Sequence, residues 1–232
     1  AYGPRCAVLA EAERGLVALD LNTGEQRWRF NAWRGRDFRL KPAGPLLLVT
    51  CGDSAVYGID ADSGELAWRY TARATFEIEP CAFRDRMLAV GGPPSGRDGR
   101  VFCTELASGR FLWNHLLDVG IVGPIVGVSP NVAVVPCRHR SGGAVLIGLD
   151  LDTGQELWRR WLEGWGEYSL LPVDDFVVAC GAGGLVTAID ARDGQIRWSH
   201  SFAATDPDDV PRRLEPVLRG GALFVPADTV YV

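Results

Sequence analysis

The sequence predicts an all-β chain assembled from repeated four-stranded antiparallel sheets. Three observations predict it. An eleven-residue phrase ending in Gly-x-x-x-Trp occurs five times. Each phrase is preceded by a proline-marked segment and by short runs rich in Val, Ile and Leu, bounded by Gly or Asp, which is how strands and their turns read. No stretch keeps the apolar period of a helix over several turns, so essentially no helix is expected.

The phrases run Ala18–Trp28, Gly58–Trp68, Cys103–Trp113, Gly148–Trp158 and Ala188–Trp198, and their tryptophans are 40, 45, 45 and 40 residues apart. Each opens on a small residue and has an acid at its third position. Upstream, a proline follows an apolar residue by two, at Leu40/Pro42, Ile78/Pro80, Val122/Pro124, Leu170/Pro172 and Leu214/Pro216. The expected order in each repeat is an inner strand at the proline and a second strand such as Pro45–Val49 or Phe176–Ala179. A third strand then ends at the acid, and a fourth carries the Trp. The Asp-x-x-Thr-Gly stretch is the tight turn between the last two: Gly supplies positive φ, while Asp and Thr cap backbone amides.

Four antiparallel strands every 40–45 residues is the pattern of β-propeller blades. Radial packing covers both faces of every blade, which explains why the strands are almost continuously apolar instead of alternating. The fourth-strand Trp then has a mechanical role: its ring lies over the neighbouring blade's glycine turn, and the small residue ten positions earlier leaves it room. The expected docking residues are Trp28, Trp68, Trp113, Trp158 and Trp198 with Gly24, Gly64, Gly109, Gly154 and Gly194. At the ends, Tyr2-Gly3-Pro4 reads as the tail of an inner strand, and Val230-Tyr231-Val232 as a third strand with no turn after it. Five Trp-bearing blades and a partial sixth are expected in one domain, 1–232, cut from a longer chain at both ends.

The phrase Ala-x-Asp-x-x-Thr-Gly-x-x-x-Trp resembles the tryptophan-docking motif of the PQQ-type (quinoprotein-like) β-propeller family. The resemblance covers the whole chain. It implies a ring of seven or eight blades. The family spans periplasmic quinoprotein dehydrogenases, the propeller lipoprotein of outer-membrane protein assembly, and sensor or interaction domains, so it specifies the fold far more sharply than the function.

The residues narrow the function by exclusion. Twenty-four basic and 29 acidic residues give a net charge of −5, with no basic patch to attract nucleic acid. No apolar run is long enough for a membrane helix. The quinone-dependent members bind their cofactor against adjacent cysteines and add a metal ion. Here Cys6, Cys51, Cys81, Cys103, Cys137 and Cys180 are all separated, so neither a cofactor nor a catalytic set is expected. Asp60-Ala61-Asp62-Ser63-Gly64 and Asp150-Leu151-Asp152-Thr153-Gly154 open like calcium loops. Their glycine falls one position early, however, and Thr71 or Trp161 stands where the bidentate Glu belongs. His115 and His200 are repeat positions, His139 sits in an Arg-rich loop, and no metal-ligand spacing appears.

What remains is surface. Trp33, Arg36, Trp161, Trp165 and Tyr168 lie in the connections that follow the Trp strands, outside the docking register, and exposed aromatic and Arg side chains are the material of binding hot spots. Inner-strand residues Arg39, Lys41, Glu77, Glu79, Ile121, Ser169, Leu171, Arg213 and Glu215 give a channel of mixed charge that pairs with itself or admits a small polar ligand. The expected function is a non-enzymatic scaffold presenting loops to a protein partner. The alternatives are a small-ligand-sensing domain of a larger signalling protein and, disfavoured, a quinoprotein dehydrogenase fragment. The compartment reads two ways: the six cysteines, each in or beside an apolar run, slightly favour the cytoplasm as reduced core thiols, and the family resemblance favours the periplasm or cell exterior.

Overall fold

The computed structural model describes residues 6–11, 15–31, 37–92, 98–139, 141–165, 168–181, 184–201, 216–219 and 222–224. All regular structure among them is β-strand. The first sheet holds β1 (Cys6–Glu11), β2 (Gly15–Asp20) and β3 (Gln26–Phe30). The second holds β4 (Arg39–Ala43), β5 (Leu46–Thr50), β6 (Ala55–Asp60) and β7 (Leu66–Thr71). The third is β8 (Cys81–Phe83), β9 (Arg86–Gly91), β10 (Arg100–Glu105) and β11 (Phe111–Leu116). The fourth has β12 (Gly120–Ile121), β13 (Val126–Val128), β14 (Val132–Arg138), β15 (Gly143–Asp150) and β16 (Glu156–Trp165). The fifth is β17 (Tyr168–Val173), β18 (Phe176–Gly181), β19 (Leu185–Asp190) and β20 (Ile196–Ser201), and a hairpin of β21 (Val217–Arg219) and β22 (Ala222–Phe224) follows. In each sheet neighbours in sequence are neighbours in space, the meander of a propeller blade, except that in the fourth β12 and β13 both pair with β14. Backbone contacts gather these elements into two compact units, Ala1–Ser95 with Val101–Leu112 and Gly96–Arg100 with Trp113–Val232.

The second sheet buries two faces. In β5 all five residues are buried. Leu47 and Val49 pack with Leu16, Ala18 and Trp28 of the first sheet, whereas Leu46 and Leu48 pack with Met87, Ala89 and Phe102 of the third. Strand periodicity sends alternate side chains to opposite faces, so a strand between two neighbours needs apolar residues at every position. In the second unit Val132, Val134 and Leu146 of the fourth sheet meet Val177, Ala179 and Ile189 of the fifth in the same way.

The inner strands are less regular than the proline spacing predicts. Tyr2, Pro4 and Val230–Val232 lie outside the described residues. In the third sheet the strand begins only after Pro80, and Phe76, fully buried, packs edge-on to Phe102 at 5.4 Å from the connection ahead of it. In the fourth sheet β12 and β13 both pair with β14 and are separated around Pro124. Proline donates no hydrogen bond, so at these two positions it ends or splits a ladder that Pro42 and Pro172 merely enter.

Candidate interaction surface

The repeat phrase builds its turn from its own atoms. The Asp60 Oδ1 accepts the amides of Asp62 (3.1 Å) and Ser63 (2.8 Å), the Asp60 carbonyl accepts the Gly64 amide (2.9 Å), and Gly64 has φ +74°. Asp20 and Asp150 make the same pattern, and those amides hold the Asp20 and Asp60 carboxyls below the ordinary carboxylate value. In the third repeat Glu105 replaces Asp, and its carboxylate accepts from the Ser108 hydroxyl.

Just before Trp28, Trp68, Trp158 and Trp198 the strand carries a bulge. Ala18 faces Trp28 and Leu19 faces Gln26, leaving Arg27 as the extra residue; Ala67, Leu157 and Arg197 are extra in the same way. A bulge adds twist and re-aims the side chain after it. Here it turns the indole toward the next turn. Trp28 Nε1 donates to the Ala61 carbonyl at 3.1 Å, Trp68 to Leu106 at 2.9 Å, Trp113 to Leu151 at 2.9 Å and Trp158 to Ala191 at 2.7 Å. A methyl placed on Gly64, Gly109, Gly154 or Gly194 would stand 2.5–2.6 Å from those same rings, so only glycine fits beneath them. The fifth pair differs. Trp198 is 44% exposed, against 7–8% for the other four, and among the described residues nothing lies within 4 Å of the position a Cβ would take on Gly24.

Outside this register, the fourth sheet supplies the surface. Its second and third strands run to seven and eight residues and its outer strand to ten, against five or six for the other outer strands. The extra length raises the β14–β15 turn. That turn is closed by the His139 amide to Gly143 (2.9 Å) and the Gly142 amide to His139 (2.9 Å), with the Ser141 amide donating to His139 Nδ1 (3.2 Å). Trp161, opposite Val145 on β15, sets its ring edge-to-face on His139 with 5.1 Å between centroids, and stays 51% exposed. Two residues earlier on the same side of β16, Arg159 bridges Asp118 (2.8 Å) and Glu156 (2.9 Å), which holds Asp118 ionised to lower pH than usual.

Of the five residues expected on this surface, Trp161 is exposed as anticipated from its position. Tyr168 corrects the expectation: it is 4% exposed, its ring lies where a methyl on Gly181 would stand, and its hydroxyl donates to the Glu163 carbonyl at 2.6 Å. It is a strut under the end of β16, and burial pushes its pKa up to about 12. Trp165 pairs through its backbone with Gly143, and Trp33 and Arg36 lie outside the described residues. Sequence reasoning missed His139 as part of the surface. The signal was available in the 45-residue spacing between Trp113 and Trp158, five more than the shortest repeats.

Lys41 Nζ on β4 meets Glu79, in the connection ahead of β8, at 3.0 Å, and Ser169 on β17 is buried. Arg213 and Glu215 are outside the described residues. Among the described residues no three His, Cys, Asp or Glu side chains gather as ligands for an ion. All six cysteines are thiols, and burial pushes Cys51 up to about 12 and Cys180 up to about 11. A quinone held with a metal ion needs converging oxygen donors, and among the described residues Glu79, ahead of β8, is instead paired with Lys41. The described residues do not fit that group.

Comparison with known proteins decides the family. The sequence family described as outer membrane protein assembly factor BamB matches residues 12–116 and 97–231. The chain belongs to that family. The outer membrane protein assembly factor BamB of Yersinia pestis is 22% identical over 231 residues, covering 86% of this chain and 56% of its own length. The 1-butanol dehydrogenase (quinone) of Thauera butanivorans is 26% identical over 143 residues, covering 55% of this chain and 23% of its own. The crystal structure of BamB from Moraxella catarrhalis superposes with a TM-score of 0.67 at 14% identity, over 98% of this chain and 65% of that one. The fold is thus that of the PQQ-type propellers, and the chain spans little more than half the length of the assembly factor it matches in Yersinia. No helix among the described residues is long and apolar enough to cross a membrane.

Proposed function

We propose that this propeller is a non-enzymatic scaffold that offers a rigid surface to a protein partner. The observation that carries the reading is Trp161. Four tryptophans of the repeat are spent on packing, while Trp161 stands half in solvent on a sheet whose strands are longer than those of its neighbours. A large amphipathic ring held by a β-ladder on one side and by His139 on the other binds without losing much freedom, which is the economy of hot-spot residues. Family membership supports the same reading: the relative that covers most of this chain carries the name of an assembly factor, a role exercised on other proteins. The quinone-dependent relative covers a smaller share of the chain.

The test is capture of partners from the source organism by the whole chain, immobilised as wild type and as Trp161→Ala. Loss of the same captured protein with the variant, at an unchanged melting temperature, supports the reading. Equal capture by both, or oxidation of an alcohol by a dye-linked assay in the presence of pyrroloquinoline quinone, overturns it.

A further inference from the structure

β16 is the outer strand of the fourth sheet and is bonded to β15 on one side only. Among the described residues no backbone bond from outside the sheet reaches Glu156–Trp165. Past its bulge the strand runs five residues in register with β15, Trp158 to Leu162, before a second shift carries it on to Trp165; β3, β7 and β20 run three or four. Its full length is roughly 30 Å. An open edge of that length is a template for another chain, and proteins blunt such edges with proline, lysine or bulges. β16 has neither proline nor lysine. Its two arginines are held on the faces of the sheet, Arg159 by Asp118 and Glu156, and Arg160 by the Gly194 carbonyl, to which its Nε donates at 2.6 Å.

The two arginines differ in charge balance. Arg159 lies between two carboxylates. Among the described residues no acid pairs with Arg160, nor with exposed Arg138, which shares its face of the sheet through Ala144 and Leu162. Strand alternation places half-exposed Trp161 on the opposite face, next to Arg160 in sequence.

We propose, building on the scaffold reading above, that β16 takes up an extended segment of the partner as an added strand, in which an acidic residue stands next to an aromatic or branched apolar one. Neighbouring side chains of an added strand face opposite ways, so an apolar residue set against Trp161 places the next one against Arg160. There an acid meets a guanidinium that has no carboxylate of its own. Backbone bonds along the edge supply affinity, and the apolar–acid step fixes the register.

The test uses the whole chain and two blocked peptides of about eight residues, alternating Val and Thr, with one central Val followed by Glu or by Lys. Hydrogen–deuterium exchange is read by mass spectrometry on fragments spanning each outer strand. The Glu peptide should slow exchange across 156–165 at least about threefold at saturation and leave β3, β7, β11 and β20 unchanged. It should bind about tenfold more tightly than the Lys peptide. Arg160→Glu should reverse that order of affinities, a result that loss of packing alone does not give. If Arg160→Glu fails to fold, Arg160→Gln should bring the two peptides to within about twofold of each other. Unchanged exchange across 156–165 at millimolar peptide overturns the proposal, as do equal slowing on every outer strand and a peptide preference that ignores Arg160. A chain that captures a partner through Trp161 yet shows no slowing with the Glu peptide keeps the scaffold reading and loses this one.

Discussion

Gly24 and Gly154 share a backbone angle and differ in what lies above them, so Gly→Ala at the two sites separates the cost of the turn from the cost of the clasp. Both have φ +72°. Alanine in that region is disfavoured by about 1–2 kcal/mol wherever it occurs. At Gly24 nothing else among the described residues is near, and about 1–2 kcal/mol is the whole expected loss. At Gly154 the new methyl stands 2.5 Å from Trp113 Cε3, and the indole must withdraw. Overpacking of that kind costs about 1–3 kcal/mol more, and the bond from Nε1 to the Leu151 carbonyl, 2.9 Å long, contributes about 1 kcal/mol that is lost with it. Gly154→Ala should therefore lose roughly 3–6 kcal/mol in all. The assay is urea unfolding followed by tryptophan fluorescence and circular dichroism. Losses at the two sites within about 0.5 kcal/mol of each other would refute the clasp as a source of stability.

Other perturbations follow from the same geometry. Trp158→Ala should cost about 3–5 kcal/mol and Trp198→Ala less than half of that in the same denaturation assay, because only the first ring is buried and hydrogen-bonded. Trp161→Ala should change stability by no more than about 0.5 kcal/mol while abolishing partner capture. The Asp60 carboxyl titrates below its ordinary value in the folded chain because the Ser63 amide, the Ser63 hydroxyl and the Asp62 amide bind its charged form. Its contribution is complete above the unfolded value and is lost as pH falls through the lower folded one. Melting temperatures measured from about pH 6 to about pH 2.5 should therefore fall more steeply in wild type than in Asp60→Asn, which keeps the acceptor and loses the titration. A thiol-reactive dye at about pH 8 should leave Cys51, Cys137 and Cys180 unmodified in the native protein and reach all six cysteines in urea; rapid native labelling of Cys137 would contradict its burial.

The blades were legible because their information is local. A Gly that must take positive φ, an acid that closes the third strand, and a Trp at fixed spacing are all readable one residue at a time. So is the continuous apolar character of β5 or β15, since burial on two faces leaves no polar alternation to misread. What stayed hidden depends on contacts between distant residues. Tyr168 looked like one more surface aromatic, because nothing in its sequence neighbourhood announces that Gly181 leaves a ring-sized space across the ladder. His139 acquires meaning only when the longer β16 brings Trp161 against it.

The Asp-x-x-Thr-Gly hairpin satisfies amides of its own turn from its Asp and Thr, while its Leu151 carbonyl takes the indole of the adjoining sheet. During synthesis each ribbon can therefore acquire its shape as it leaves the ribosome, from pairings between residues close in sequence, which are the quick ones to form. The apolar surface of the newest ribbon stays wet until the next one emerges to cover it. Maturation then proceeds like a zip drawn from the amino end, and its slow, aggregation-prone moment is the wait for each successive tooth.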